Sequence, residues 1–128
     1  MNAPVQDLKD ILEAGTSLVF GTDLFIGLGP TSPDNYVALR DSGGRPPVAQ
    51  YTYKYPTVQV YVRNNGYLAG YEQAETIQNC LHGRRNEIWN STKYIQILAS
   101  SEILYLGTDE NGRAEFSLNF EIHRTKQN

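Results

Sequence analysis

The sequence predicts an α+β domain: an antiparallel or mixed β-sheet of about four to six strands, two helices against its apolar face, and a C-terminal β-hairpin. Three patterns predict it. From Thr57 to Arg63 the chain alternates strictly, with Val58, Val60 and Val62 on one side and Gln59, Tyr61 and Arg63 on the other. Phe116, Leu118, Phe120 and Ile122 alternate with Glu115, Ser117, Asn119, Glu121 and His123. A period of two with β-branched or aromatic residues on one side is the mark of a strand with one face in a core. Two other segments carry apolar residues at three- and four-residue steps, as an amphipathic helix does.

In chain order, the first helix spans about Pro4 to Ala14. Pro4 suits the first turn, Val5, Leu8 and Ile11/Leu12 form the stripe, and Gly15 ends it. Asp7, Asp10 and Glu13 on this helix are expected to face solvent and to favour its dipole. Leu18 to Phe20 and Leu24 to Leu28 are short strand candidates, and Tyr36 to Arg40 is a further one. The segment 41–50, DSGGRPPVAQ, holds two Gly and two Pro and is predicted to be a loop. Tyr51, Tyr53 and Tyr55 then share one side of an extended segment. Pro56 opens the Thr57–Arg63 strand, where a missing N–H is tolerable. Asn64-Asn65-Gly66 turns into the second helix, about Tyr67 to Leu81, with Tyr67, Tyr71, Ala74, Ile77 and Leu81 as its stripe and Gly83 behind it. RRNEIWNS, from residue 84, is predicted to be a loop. Tyr94–Ala99 and Ile103–Leu106 are two strands, or one bent at Ser100-Ser101. Asn111-Gly112 is a strong turn signal before the last strand, which makes the closing hairpin the firmest topological expectation.

Composition narrows the function classes. The 128 residues suit a single domain, 1–128, able to hide roughly two-thirds of its unfolded surface. Eleven Lys and Arg against 14 Asp and Glu give a net charge of −3 without a basic run, which argues against nucleic acid as a tightly held partner. Nine Tyr against four Phe favour surfaces that become buried on association, since Tyr joins an apolar body to a polar tip. Cys80 is the single cysteine, so no intrachain disulfide is expected. No apolar run approaches membrane-spanning length and MNAPVQDLKDILEAG lacks a secretory pattern, so a cytosolic chain is expected and the sequon Asn90-Ser91-Thr92 is expected to stay unmodified.

The search for chemistry finds no candidate. Cys80 and His82 would point about 200° apart on a helix and could not share a metal. Gly27-Leu28-Gly29 is followed by prolines at 30 and 33 rather than by a helix, unlike a dinucleotide turn. Asp109-Glu110-Asn111-Gly112 lacks the spacing of a calcium loop. No catalytic, cofactor-binding or metal-ligating residues are therefore assigned, and an enzyme is not expected. What remains is surface. Tyr51, Tyr53, Gln59, Tyr61 and Arg63 are the candidate interface residues. The strand face of Gln59, Tyr61 and Arg63 meets either water or a neighbour, and the tyrosines either form a docking arm or pack within their own subunit.

GTDLFIG (21–27), SPDNYVALRDSGG (32–44), PTVQVYVRN (56–64), CLHG (80–83) and DENGRAEFSLNFEIHR (109–124) together resemble the tailed-bacteriophage family named minor capsid protein. That family is similar in role to tail terminators, the head–tail joining proteins of long-tailed phages. The resemblance runs from about Gly21 to Arg124 and leaves the Tyr-rich stretch 45–55 unmatched. It implies a small α/β subunit of the virion neck, assembled in the host cytoplasm, usually as a hexameric ring. Such a ring caps the tail tube built of the major tail protein, stops its polymerisation and meets the head connector, while DNA passes through the lumen without specific binding. The resemblance implies no catalytic residues, no cofactor and no membrane. Two alternatives remain at this point: another neck component, such as a stopper or connector subunit, and an unrelated cytosolic protein-binding domain.

Overall fold

Helix α1 (Pro4–Gly15) and helix α2 (Tyr67–Leu81) lie on one face of a seven-stranded mixed sheet. The computed structural model describes residues 1–48 and 52–127. The strands are β1 (Leu24–Ile26), β2 (Tyr36–Arg45), β3 (Tyr55–Asn64), β4 (Arg84–Trp89), β5 (Thr92–Ala99), β6 (Leu104–Thr108) and β7 (Ala114–Lys126). They run in the order β1-β2-β3-β7-β5-β4, and β6 also pairs with β7. Among the paired strands of the described residues only β1–β2 is parallel.

β7 is the spine of this sheet. Its residues 114–121 pair with β3, so β6 and β5 must share its other edge, β6 beside residues 114–117 and β5 beside residues 120–126. The alternation of β3 and β7 puts Val58, Val60, Val62, Phe116, Leu118, Phe120 and Ile122 into the core under the helices. Each buried phenylalanine contributes roughly 2–3 kcal/mol through the apolar area it removes from water. α1 adds Val5, Leu8, Ile11 and Leu12, as its stripe predicts. The buried line of α2 is Gly70, Ala74, Ile77 and Leu81, with Tyr67 and Tyr71 left half exposed at its margin. Gly70 belongs in that line because an added Cβ would stand 2.7 Å from the Phe116 ring, so any larger residue would lift the helix off β7.

Several local expectations change. Segment 41–50 does not begin as a loop: β2 continues through Gly43-Gly44 to Arg45, with a bulge between Asp41 and Gly44. Gly44 has φ +124°, and a Cβ there would fall 2.2 Å from the Tyr55 carbonyl oxygen, so glycine serves a close strand crossing rather than a turn. RRNEIWNS is likewise a strand, β4, joined to β5 by Asn90 and Ser91. Both turn residues have positive φ (50° and 62°), the backbone that a tight two-residue hairpin requires. Arg84 there donates from Nε to the Cys80 carbonyl at 2.6 Å, which satisfies an open acceptor in the last turn of α2. Leu18–Phe20 is not a strand; Phe20 makes one isolated bridge to Leu24. Tyr94–Ala99 and Ile103–Leu106 belong to two separate strands, and the hairpin of β6 and β7 closes over residues 109–113 as expected. Asp109 organises that turn, accepting from the backbone N–H groups of Asn111 and Arg113 at 3.0 and 2.9 Å.

Asp7 is fully buried rather than solvated. Its carboxylate accepts from the Tyr94 hydroxyl and from Asn90 Nδ2 (2.7 Å), and Arg124 Nη1 stands 4.0 Å away. A buried carboxylate needs such partners. Here they come from β5, β7 and the β4–β5 turn, and they tie α1 to the end of the sheet.

Candidate assembly surface

Opposite the helices, the polar side chains of β3 and β7 lie on the sheet's second face. Tyr36 from β2 sits edge-on between Phe25 and Tyr61, with ring centroids 5.8 Å from each. Arg63 stacks over Tyr36, its Cζ 4.2 Å from the ring centroid, and Arg40 stacks over Tyr61 at 4.8 Å. The Arg63 guanidinium donates to the carbonyls of Pro30, Thr31, Pro33 and Asp34 at 2.7–3.3 Å, and so holds that irregular stretch onto the sheet. Arg113 donates to the Thr31 carbonyl from the other side at 3.0 Å. The Tyr61 hydroxyl donates to Glu115. Burial, then the Glu115 carboxylate, push the Tyr61 phenol well above the ordinary tyrosine range.

A second cluster lies further along the same face. Arg45 Cζ sits 4.1 Å over Tyr55, Tyr55 stacks on His123 with centroids 4.6 Å apart, and Tyr53 lies 5.4 Å from His123 at a tilt. The approach to β3 is sewn to the end of β7: the backbones of Lys54 and Arg124 exchange hydrogen bonds of 2.8 and 3.0 Å, and the Thr52 and Thr125 hydroxyls meet at 2.5 Å. Burial first, then Arg45, lower the His123 pKa below the usual histidine value.

The five candidate interface residues therefore separate. Tyr61 and Arg63 are 8% and 6% exposed and are enclosed by their own chain. Gln59 is half buried and faces Asn119 and Arg40 across the ladders. Tyr53 is 39% exposed beside His123. Tyr51 lies outside the described residues. The structure places side chains that sequence reasoning did not single out at the margins of the sheet. Leu104, Tyr105 and Leu106 of β6 are all about half exposed, as are Tyr67 and, less so, Tyr71 of α2 beside them; Leu68 is more open still. Tyr67 meets Tyr105 edge-on at 5.0 Å, so helix and strand form one surface. The signal was the run Leu104-Tyr105-Leu106-Gly107-Thr108, in which a strand carries no charged residue on either face.

No group of three or more His, Cys, Asp or Glu suited to a metal lies among the described residues, and among them no helix is long and apolar enough to cross a membrane. The family model for bacteriophage tail terminator proteins matches residues 11–126. The chain belongs to the bacteriophage tail terminator family. It is thus a structural protein of the phage tail. The tail terminator fold recurs in a chain of the solved "Virion of native gene transfer agent (GTA) particle", with a TM-score of 0.76 at 14% identity over 96% of this chain and 95% of that one. No curated relative matches the chain in sequence. The tail terminator match also spans segment 45–55, which the resemblance in motifs leaves open.

Proposed function

We propose that the protein ends tail-tube growth. Copies of the chain form a ring, hexameric by the family resemblance, that caps the tube of major tail protein and presents its far face to the head connector. The family match over residues 11–126 carries this reading. The exposed apolar margins of the sheet favour it, because a subunit that worked alone would have little reason to leave them in water. The net charge of −3 per copy makes the assembled ring acidic overall, which suits a passage through which DNA slides without being held. Assembly takes place in the host cytoplasm and the finished ring stays in the neck of the virion.

Tail-tube assembly in the presence and absence of the protein, followed by negative-stain imaging, tests the reading. Added protein should cap one end of each tube with a ring and hold tube lengths within a narrow band. Tubes that bind no ring and keep lengthening would overturn it. A stopper or connector subunit would instead bind head connectors and leave tube length uncontrolled.

A further inference from the structure

Ten of the fourteen exposed large hydrophobic side chains among the described residues gather at two places. One comprises Tyr67, Leu68 and Tyr71 of α2 with Leu104, Tyr105 and Leu106 of β6. The other comprises Val19, Phe20, Ile26 and Leu28 at β1, where Leu28 is 87% exposed. Among the described residues β1 pairs only with β2, and β6 pairs only with β7 on the edge that β3 does not occupy. The two patches therefore lie on opposite sides of the spine strand.

β6 is bare in a particular way. Among the described residues its outer edge lacks a partner strand and α2 touches it only on the Tyr105 side, yet Leu104–Thr108 contains no Lys, Glu, Asp or Pro. Edge strands that remain in water are ordinarily guarded by a charge, a proline or a covering element. The six side chains of this patch, 36–74% exposed, wrap the β6 edge, with Tyr105 on the helix side and Leu104 on the other face, and together present on the order of 600 Å² of largely apolar surface. A standard interface uses roughly 800 Å² per partner, so the patch supplies most of what a stable contact needs.

We infer that β6 with the start of α2 is one half of the contact between copies of this chain, and that the β1 patch of a second copy is the other half. Two different patches on opposite sides of one subunit make a head-to-tail contact, which repeats until the rotation closes it into a ring. A single self-matching patch would stop at a dimer. This inference deepens the ring reading by naming the surfaces that join its subunits, and it rests on that reading only for the number of copies.

Cysteine cross-linking of the full chain tests it in a Cys80→Ser background. The paired variant Leu28→Cys with Leu106→Cys should give, under mild oxidation, a ladder of covalent species above the dimer that collapses on reduction. Each single-cysteine variant should remain a monomer on the same gel. A second pair, Leu28→Cys with Leu68→Cys, covers the chance that residue 106 disturbs β6; circular dichroism reports whether each variant is folded. Dimers formed as readily by Leu106→Cys alone would overturn the head-to-tail arrangement in favour of a β6-to-β6 contact. The absence of a ladder from both folded pairs, up to millimolar protein, or its appearance only when tube protein is cross-linked into it, would overturn the assignment to a second copy. A normal ladder with uncontrolled tail length would count against the terminator role and leave this surface standing.

Discussion

Phe120 and Asn119 are neighbours on β7 but face opposite ways, so they test the register of the spine directly. Phe120→Asp places a carboxylate among Phe116, Leu118 and Ile122 and should cost about 4 kcal/mol or more, enough to unfold most of the protein. Asn119→Asp should melt within a degree or two of the parent. Equal melting of both variants in a thermal scan would refute the register. On the second face, Tyr61→Phe leaves Glu115 without its phenolic donor and should cost about 1–2 kcal/mol in a urea titration near neutral pH. The phenols of Tyr61 and Tyr94 are both raised, by burial first and then by a hydrogen-bonded carboxylate. The folded state thus keeps protons that the unfolded chain loses near pH 10, so this stabilisation is complete below about pH 10 and is lost as pH rises beyond it. Tyr61→Phe should flatten part of the alkaline decline in the urea midpoint. A slope identical to the parent's would refute the assignment.

At the scale of elements, legibility followed contrast between faces. β3, β7 and α1 were readable because each has one apolar side, and their apolar residues took the core as expected, although Asp7 of α1 is buried rather than solvated. β4 was not, because Arg84 to Trp89 is half exposed throughout and shows no period; its hairpin turn, Asn90-Ser91, lacks the glycine that advertises positive φ. Gly43-Gly44 misled in the other direction, since a strand bulge and a loop call for the same residues. The expected stripe of α2 included Tyr67 and Tyr71, which lie at its margin, and missed Gly70, because a glycine that admits Phe116 carries no hydrophobic signal. The candidate interface was least legible. An arginine on a polar strand face looks the same whether water or its own chain's carbonyls receive it, and in Arg63 the carbonyls do. Tyr55 is clasped between Arg45 and His123, whereas Tyr53 touches His123 and is more open. Tyr55→Ser should therefore lower the melting temperature by several degrees and Tyr53→Ser by less. Subunit association measured beside the melting curves separates packing from docking: Tyr53→Ser should weaken association more than stability if the segment meets a neighbour. A larger thermal loss for Tyr53→Ser than for Tyr55→Ser would reverse this ordering.

For the whole molecule, closure of the proposed ring would make each subunit depend on two others. A chain carrying Leu106→Lys keeps its β1 patch sound, so it should join one end of a growing arc and block the next addition. Mixed with the parent protein at about one part in six, it should reduce ring yield far more than its share, as mass photometry would register. A loss merely proportional to the variant fraction would count against head-to-tail closure.

β7 has a further consequence, in the timing of synthesis. It is made after β3, β5 and β6, yet it is the strand that each of them needs. Until it emerges, among the described residues β3 has only β2 beside it, β5 has only β4, and β6 has no partner strand. β3 and β7 are distant along the chain, so their pairing carries a larger closure entropy and forms late, whereas β6 and β7 form a local hairpin that waits only for β7 itself. The edge proposed to grip a neighbour therefore takes shape only once the spine strand is made, so an unfinished chain leaving the ribosome lacks the surface proposed to join it to another copy.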